Sequence, residues 1–412
     1  MSSASALGVD TGRLARDIEA IGGLSEAPPS TGYSRPTFSP SWRRARDYVA
    51  REAEAAGCHT RIDAAGNLHA RPAGLGGESR AWLCGSHVDS VPTGGKYDGV
   101  TGVVAALELL RTAPAIPVEL IVFAEEEGTT FGLGMLGSKA WTGALGPGDL
   151  AALHNAEGRS YLEAGADHGV DARRLAAERF PASAYRGMVE VHVEQGASLW
   201  RTGEPLAVVT AINGRRQFLC VLEGAANHAG STTMDDRRDA LAGAAECIRY
   251  LESLARDLRA GDSDNTVITV GRLDVHPNAV NVIPGRTAFS IDFRSSSDEV
   301  LDRGEERLRS RLGRFAAGRG LAIVLERTES LPVVPMDGGV CERLREAGRR
   351  IDARLPDVTS GALHDTAILA PLLPAAMLFV ASKDGISHNP AELSRVEHIA
   401  LSVRVLGEAL GA

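Results

Sequence analysis

Cysteine is sparse in this chain and follows no pattern. Cys58, Cys84, Cys220, Cys247 and Cys341 are scattered, odd in number and never spaced as CxxC. That excludes a disulfide framework and points to a reduced, cytoplasmic protein. Long apolar runs are missing too: nothing approaches the roughly 18 consecutive residues of a membrane helix. The N-terminal residues have no basic start and no apolar core, so no secretion signal is expected. Positive charge is not in excess either. A formal net charge of -9 at pH 7 argues against nucleic acid as a partner. A small anionic substrate stays open, because a site's local field can oppose the global sign. There is no internal repeat and no low-complexity tract. What is there is 412 residues, 44% hydrophobic and 24% charged, an ordinary globular composition too long for one core. Two domains are expected.

One stretch organises the rest. Ala81-Trp82-Leu83-Cys84 reads as a buried strand leading into Gly85-Ser86-His87-Val88-Asp89-Ser90-Val91. His87 therefore falls at a strand's carboxyl end, where open α/β folds place ligands. Asp98 follows in the glycine-rich loop Gly94-Gly95-Lys96-Tyr97-Asp98-Gly99, just before a helix-period segment, residues 103–110. Such a loop can bring carboxylate and backbone close to an ion. Taken alone, the two residues would read as a core histidine and a helix-capping aspartate.

Residues 10–57 read as helices around a Pro/Ser/Thr-rich loop, and 58–70 as strand, turn and strand. Residues 118–124 form another buried strand ending in Glu125-Glu126-Glu127-Gly128. Three carboxylates there repel one another unless cations pair with them. Residues 138–186 look helical and loop-rich. Alternation in 187–196 sets Val189, Val191 and Val193 on one face and Glu190, His192 and Glu194 on the other, either a ligand stripe or an exposed edge. From about 212 the pattern becomes strand 217–223, helix 237–258, strands 266–271 and 287–294, helix 298–317 and strand 321–326. That β-α-β-β-α-β order is a ferredoxin-like unit. The α/β pattern then resumes with helix 341–353, a loop carrying His364 and Asp365, strand 376–380, a segment with His388, and a last helix. The expected architecture is α/β: a metal-binding catalytic domain, residues 1–211 and 329–412, with a central mixed sheet flanked by helices. Residues 212–328 would be an inserted α+β lid or dimerisation domain.

His87, Asp98, Glu126, Glu127, His192 and His388 thus come from separate strand ends and loops. Imidazoles with carboxylates and no thiolate suit Zn²⁺, Mn²⁺, Co²⁺ or Ni²⁺ better than Mg²⁺ or Ca²⁺. These ligands exceed what one open catalytic ion uses, so two divalent ions sharing a carboxylate are expected. Such a centre stays net positive and favours an anionic substrate. His59, His69, His154, His168, His276 and His398 lie outside any cluster and read as structural or surface residues.

The motifs GSHVDSV, GGKYDGVTGV, EEEGTTF, EVHVEQG, NHAGSTTMDDRRDAL, NAVNVIPG, DFR, SGALHDTAILA and GISHNPAE stand in order along nearly the whole chain. In them the chain resembles the amidase/hydantoinase/carbamoylase group of the dinuclear metallopeptidase clan. That resemblance implies that Asp98 bridges two ions, with His87 and His192 completing one ligand set and Glu127 and His388 the other. It implies Glu126 as general base, and His228, Asn281 and Arg294 as substrate-binding residues, with Gln195 lining the same pocket. It further implies a homodimer in which His228 reaches the partner's metal centre. Two departures stand out. Thr233 occupies the place of the family's usual proline, and Thr130 that of an Arg often found before the Phe.

The expected function is metal-dependent hydrolysis of an N-carbamoyl group on an amino-acid-like anion, N-carbamoyl-L-amino acids first and allantoate second. Gly137-Ser138-Lys139 and Asn213-Gly214-Arg215-Arg216 lean slightly to allantoate. A dipeptidase or aminoacylase, and a non-catalytic binding protein on the same fold, are the rivals.

Overall fold

The computed structural model describes residues 7–76, 79–259 and 266–411. The chain falls into two compact units. The first comprises Met1–Thr210, Pro335–Val358 and His364–Ala412, the second Ala211–Val334 and Thr359–Leu363. In chain order the strands are β1 (Cys58–Ile62), β2 (Leu68–Pro72), β3 (Ala81–His87), β4 (Val118–Phe123), β5 (Tyr185–Val193) and β6 (Leu206–Ile212). Next come β7 (Gly214–Glu223), β8 (Val267–Thr269), β9 (Leu273–His276), β10 (Arg286–Ser295) and β11 (Ala322–Leu331). The last are β12 (Val334–Pro335), β13 (Asp357–Ser360) and β14 (Ala375–Val380).

A nine-stranded mixed sheet runs β1-β2-β4-β3-β5-β14-β6-β12, with β13 beside β6. Its middle, β4-β3-β5-β14, is parallel throughout, while β2 and β6 flank it antiparallel. Parallel strands covered on both faces read as unbroken apolar runs, and β3, β4 and β14 are buried at every position. β5 is also central, so the exposed-edge reading of its polar stripe does not apply. Parallel pairing aims all four carboxyl ends at one sheet edge.

Helix Val100–Thr112 is buried along almost its whole length, including Glu108. Two hydrogen bonds from Arg13, at 2.6 and 2.7 Å, and one from the Asp10 amide satisfy that carboxylate. They tie the N-terminal helix Thr11–Gly22 to the helix that follows Asp98.

In the second unit a five-stranded antiparallel sheet runs β11-β7-β10-β8, with β9 also on β10. Helices Ala240–Arg259 and Asp298–Gly318 cover one face, packing Leu251, Leu254 and Leu308 onto Phe218, Phe289 and Phe293. The order is ferredoxin-like, with one correction. The expected strand 266–271 is broken: β8 and β9 pair with opposite ends of β10 along the same edge, and Gly271 lies in the break. Glycine weakens a strand interior and marks such interruptions. The short strands β6, β12 and β13 were also not anticipated from the sequence.

All five cysteines are buried free thiols. Burial pushes Cys84, Cys220 and Cys247 up to about 12 and Cys341 up to about 11. Among the described residues no helix is long and apolar enough to cross a membrane.

Candidate metal centre

Each of the four parallel strands delivers a polar side chain at the shared edge. β3 ends on His87, and β4 runs through Ala124 into Glu125-Glu126-Glu127. β5 carries His192 and is followed by Gln195, and β14 leads through Ser382 to His388. Glu125, Gln195 and His388 hold φ of 53°, 56° and 53°. Left-handed backbone at a non-glycine residue costs roughly 1–3 kcal/mol, and it concentrates at functional sites where the surroundings over-determine it. Asp98 comes from the loop ahead of helix Val100–Thr112. The turn depends on Gly99, at φ 65°, where a Cβ would lie 2.5 Å from the His87 ring.

The Asp98 carboxylate faces two groups. Its Oδ1 is 3.1 Å from His192 Nε2 and 3.5 Å from His87 Nε2, and its Oδ2 is 3.3 Å from His388 Nε2. Glu127 Oε2 lies 3.6 Å from that same His388 nitrogen, and Glu126 Oε2 3.6 Å from His87 Nε2. His87 Nδ1 donates to the Asp89 carbonyl at 3.1 Å and His192 Nδ1 to the Val193 carbonyl at 2.9 Å. Backbone acceptors behind the rings thus turn both Nε2 atoms towards Asp98. Both are buried without a hydrogen-bond partner. Buried polar atoms are nearly always satisfied, so the donor set fits a cation. His87–Asp98–His192 and Asp98–Glu127–His388 each present ligand atoms within 4.8 Å of one another.

The charges agree. Burial first, then Glu127 and Asp365, pushes Glu126 well above the usual carboxylate range against the pull of His87. Burial and Asp98 push Glu127 up to about 7. Burial also works against Asp98, but His192, His388 and His87 outweigh it and hold that carboxyl well below its ordinary value. The hydrogen bond to Asp98 raises His388 to about 9. A cation entering here would displace protons.

Residues 83–412 match Peptidase family M20/M25/M40. The chain belongs to that family. It is 38% identical over 384 residues to an N-carbamoyl-L-amino acid amidohydrolase of Geobacillus stearothermophilus, covering 92% of each chain. It is 34% identical over 386 residues to an allantoate amidohydrolase of Escherichia coli K12, again covering 92% of each. A crystal structure of a hydantoinase/carbamoylase family amidase from Burkholderia multivorans matches with a TM-score of 0.90 at 32% identity, over 98% of both chains. M20 enzymes are metal-dependent hydrolases.

In this M20 chain Gln195 stands beside these side chains, its Nε2 donating to Asp98 Oδ2 at 2.7 Å and lying 3.3 Å from His388 Nε2. The second unit carries His228, Asn281 and Arg294. His228 is exposed, and its Nδ1 accepts hydrogen bonds from the amides of Gly230 and Ser231 at 3.0 and 3.1 Å. With Nδ1 engaged as an acceptor, Nε2 is the ring nitrogen left to donate. The Asn281 carbonyl accepts from the Ala229 amide, which sets the residue beside the His228 loop. Thr233 closes the turn by donating to Asp236 at 2.7 Å. Arg294 shares a face of β10 with Asp292, opposite the buried Phe289, Ile291 and Phe293. Asp292 takes its Nε and Nη2, and the Gly361 carbonyl takes Nη1. The fork is oriented, with N–H groups remaining on both terminal nitrogens.

Several supporting residues escaped the sequence reading. Asp89 accepts from the Glu127 amide at 3.0 Å and backs His87; its signal was its place two residues after that histidine. His364 is buried with its ring 4.4 Å from that of His192. Glu190, His192 and His364 also present ligand atoms within 4.8 Å of one another, but the Glu190 oxygens already accept from Ser86, the Thr366 hydroxyl and the Thr366 amide. Glu194 caps helix Ser198–Thr202. Contrary to its isolated position in the sequence, His69 is buried in a cluster between Asp63 and Glu119.

Proposed function

We propose that this chain hydrolyses the C–N bond of an N-carbamoyl group on an amino-acid-like carboxylate, releasing the amino acid, carbon dioxide and ammonia. The observation that carries this reading is Asp98, whose two oxygens face separate ligand sets with Glu126 alongside. His87 and His192 would hold one divalent ion and Glu127 and His388 the other, Asp98 serving both; Zn²⁺ or Mn²⁺ suits the donors, with Co²⁺ or Ni²⁺ as substitutes. When bound, the ions polarise the ureido carbonyl and lower the pKa of water. Glu126 takes the proton of the attacking water and returns it to the leaving nitrogen. His228 offers its Nε2–H to the developing oxyanion. Arg294 and Asn281 bind the substrate carboxylate, for which the planar guanidinium is suited, and Gln195 lines the pocket. His228 acts from a second copy of the chain in a homodimer.

N-carbamoyl-L-amino acids come first and allantoate second; relatives named for both activities support this order. The sequence features that leaned towards allantoate have internal roles. Ser138 donates to Asp365, Lys139 to the Gly134 carbonyl, Arg215 pairs with Glu329, and Arg216 with Asp302 and Glu305. The test is turnover of N-carbamoyl-L-amino acids, allantoate, N-acyl amino acids and dipeptides after chelation and readdition of each metal. Ureido substrates should lead with about two ions bound. Dipeptide or N-acyl preference, or full activity with a single ion, overturns the reading.

A further inference from the structure

We propose that Glu392 is the positioning residue that holds Asp98 and the His388 segment in register as ligands. The inference rests on the dinuclear reading above and goes beyond it, since Glu392 itself touches no ion.

Glu392 is 5% exposed. Its Oε2 accepts from the backbone amides of Tyr97 at 2.8 Å and Asp98 at 3.1 Å, two donors 294 and more residues away in sequence. Its Oε1 accepts from the Ser387 hydroxyl at 2.8 Å, and the same hydroxyl lies 2.9 Å from Asp98 Oδ2. Glu392 is thus joined to the backbone beneath Asp98 and, through Ser387, to the side chain above it. Ser387 immediately precedes His388, so the same contacts set the histidine's segment. The carboxylate is seated against Gly95, where a Cβ would lie 2.2 Å from Oε2. Any other residue at 95 would displace it. The amide of Glu392 closes a turn onto the Asn389 carbonyl at 3.0 Å.

The two ligand sets depend on this clamp unequally. His87 and His192 sit on β3 and β5 and are oriented by carbonyls of their own strands or loops. The set of Asp98 Oδ2, Glu127 and His388 takes two of its three donors from segments that Glu392 joins. Partners that orient ligands are typically worth 10–100-fold in metal affinity.

The experiment is stepwise calorimetric titration of chelated protein with Mn²⁺ or Zn²⁺, alongside the thermal midpoint of each metal-free chain. Wild type should bind two ions. Glu392→Ala should weaken one step about 10–100-fold and leave the other within a few-fold. Glu392→Gln keeps an acceptor for both amides and a group for Ser387, and should bind close to wild type. Unchanged affinities in Glu392→Ala, or Glu392→Gln as damaged as Glu392→Ala, would each overturn the positioning role; the last would make the effect one of charge alone. Equal loss at both steps would overturn the unequal dependence of the two ligand sets. Should wild type bind fewer than two ions, the dinuclear reading fails and this inference with it.

Discussion

Neighbouring carboxylates on one loop are assigned opposite duties, Glu126 to proton transfer and Glu127 to ligation. Distance alone does not separate them, since His87, Glu126 and Glu127 also present ligand atoms within 4.8 Å of one another. What separates them is company: Glu127 shares His388 with Asp98, and its amide is held by Asp89. Glu126→Gln should lower turnover by on the order of 10²–10⁴-fold while metal analysis still finds a full complement, and Glu127→Gln should lose an ion. The opposite pattern would exchange the roles. At this scale the cluster that makes the candidate site was readable from sequence, because His87, Asp98, Glu126, Glu127, His192 and His388 each sit at a strand end or in a loop, and the structure brings them together. Glu392 was not readable. Its partners are the amides of Tyr97 and Asp98, and a hydrogen bond across nearly 300 residues leaves no local trace.

Among the elements, β2 and β4 carry a buried ionic group apart from the candidate centre. His69 Nδ1 contacts Glu119 at 2.8 Å and its Nε2 contacts Asp63 at 3.0 Å. Burial opposes the charge, but these two carboxylates outweigh it and hold His69 above its ordinary value, with Arg61 working weakly against them. Burial alone would raise Glu119; His69, Arg71 and Tyr185 instead pull it down to about 2. A raised histidine stabilises the fold fully below its unfolded pKa, near 6.5, and loses that contribution as pH climbs through the folded value. A depressed glutamate stabilises above about 4.5 and loses its contribution as pH falls towards 2. The stability gap between wild type and His69→Gln, measured by urea unfolding, should therefore be widest near pH 5–6 and shrink in alkali. A gap independent of pH would mean that folding leaves the ring's pKa unshifted, and a gap that grows as pH rises would mean the ring is neutral in the fold. Strand identities here were plain in the sequence, since β3, β4 and β14 are mostly apolar runs, with Glu119 the one charge inside β4. Strand order, the break between β8 and β9, and the very short β12 were not, because pairing rather than local composition decides them.

For the molecule as a whole, the open matter is whether one chain makes one site. The metal-centre residues lie in the first unit and His228 in the second. Refolding Glu126→Gln chains together with His228→Ala chains should restore activity if His228 serves its partner, since a mixed dimer then owns one intact site. Silence in a sample shown to contain mixed dimers would rule that out. The scattered cysteines, uninformative as a motif, acquire a use at this scale. Cys58, Cys84 and Cys341 belong to the first unit, and Cys220 and Cys247 to the second. All are shut in the core with burial-raised thiols, so a thiol reagent reaches each only when its own unit opens. Labelling resolved by mass spectrometry therefore times the opening of each half of this protein separately, in the unmutated chain, and shows which half a bound metal or ligand keeps closed.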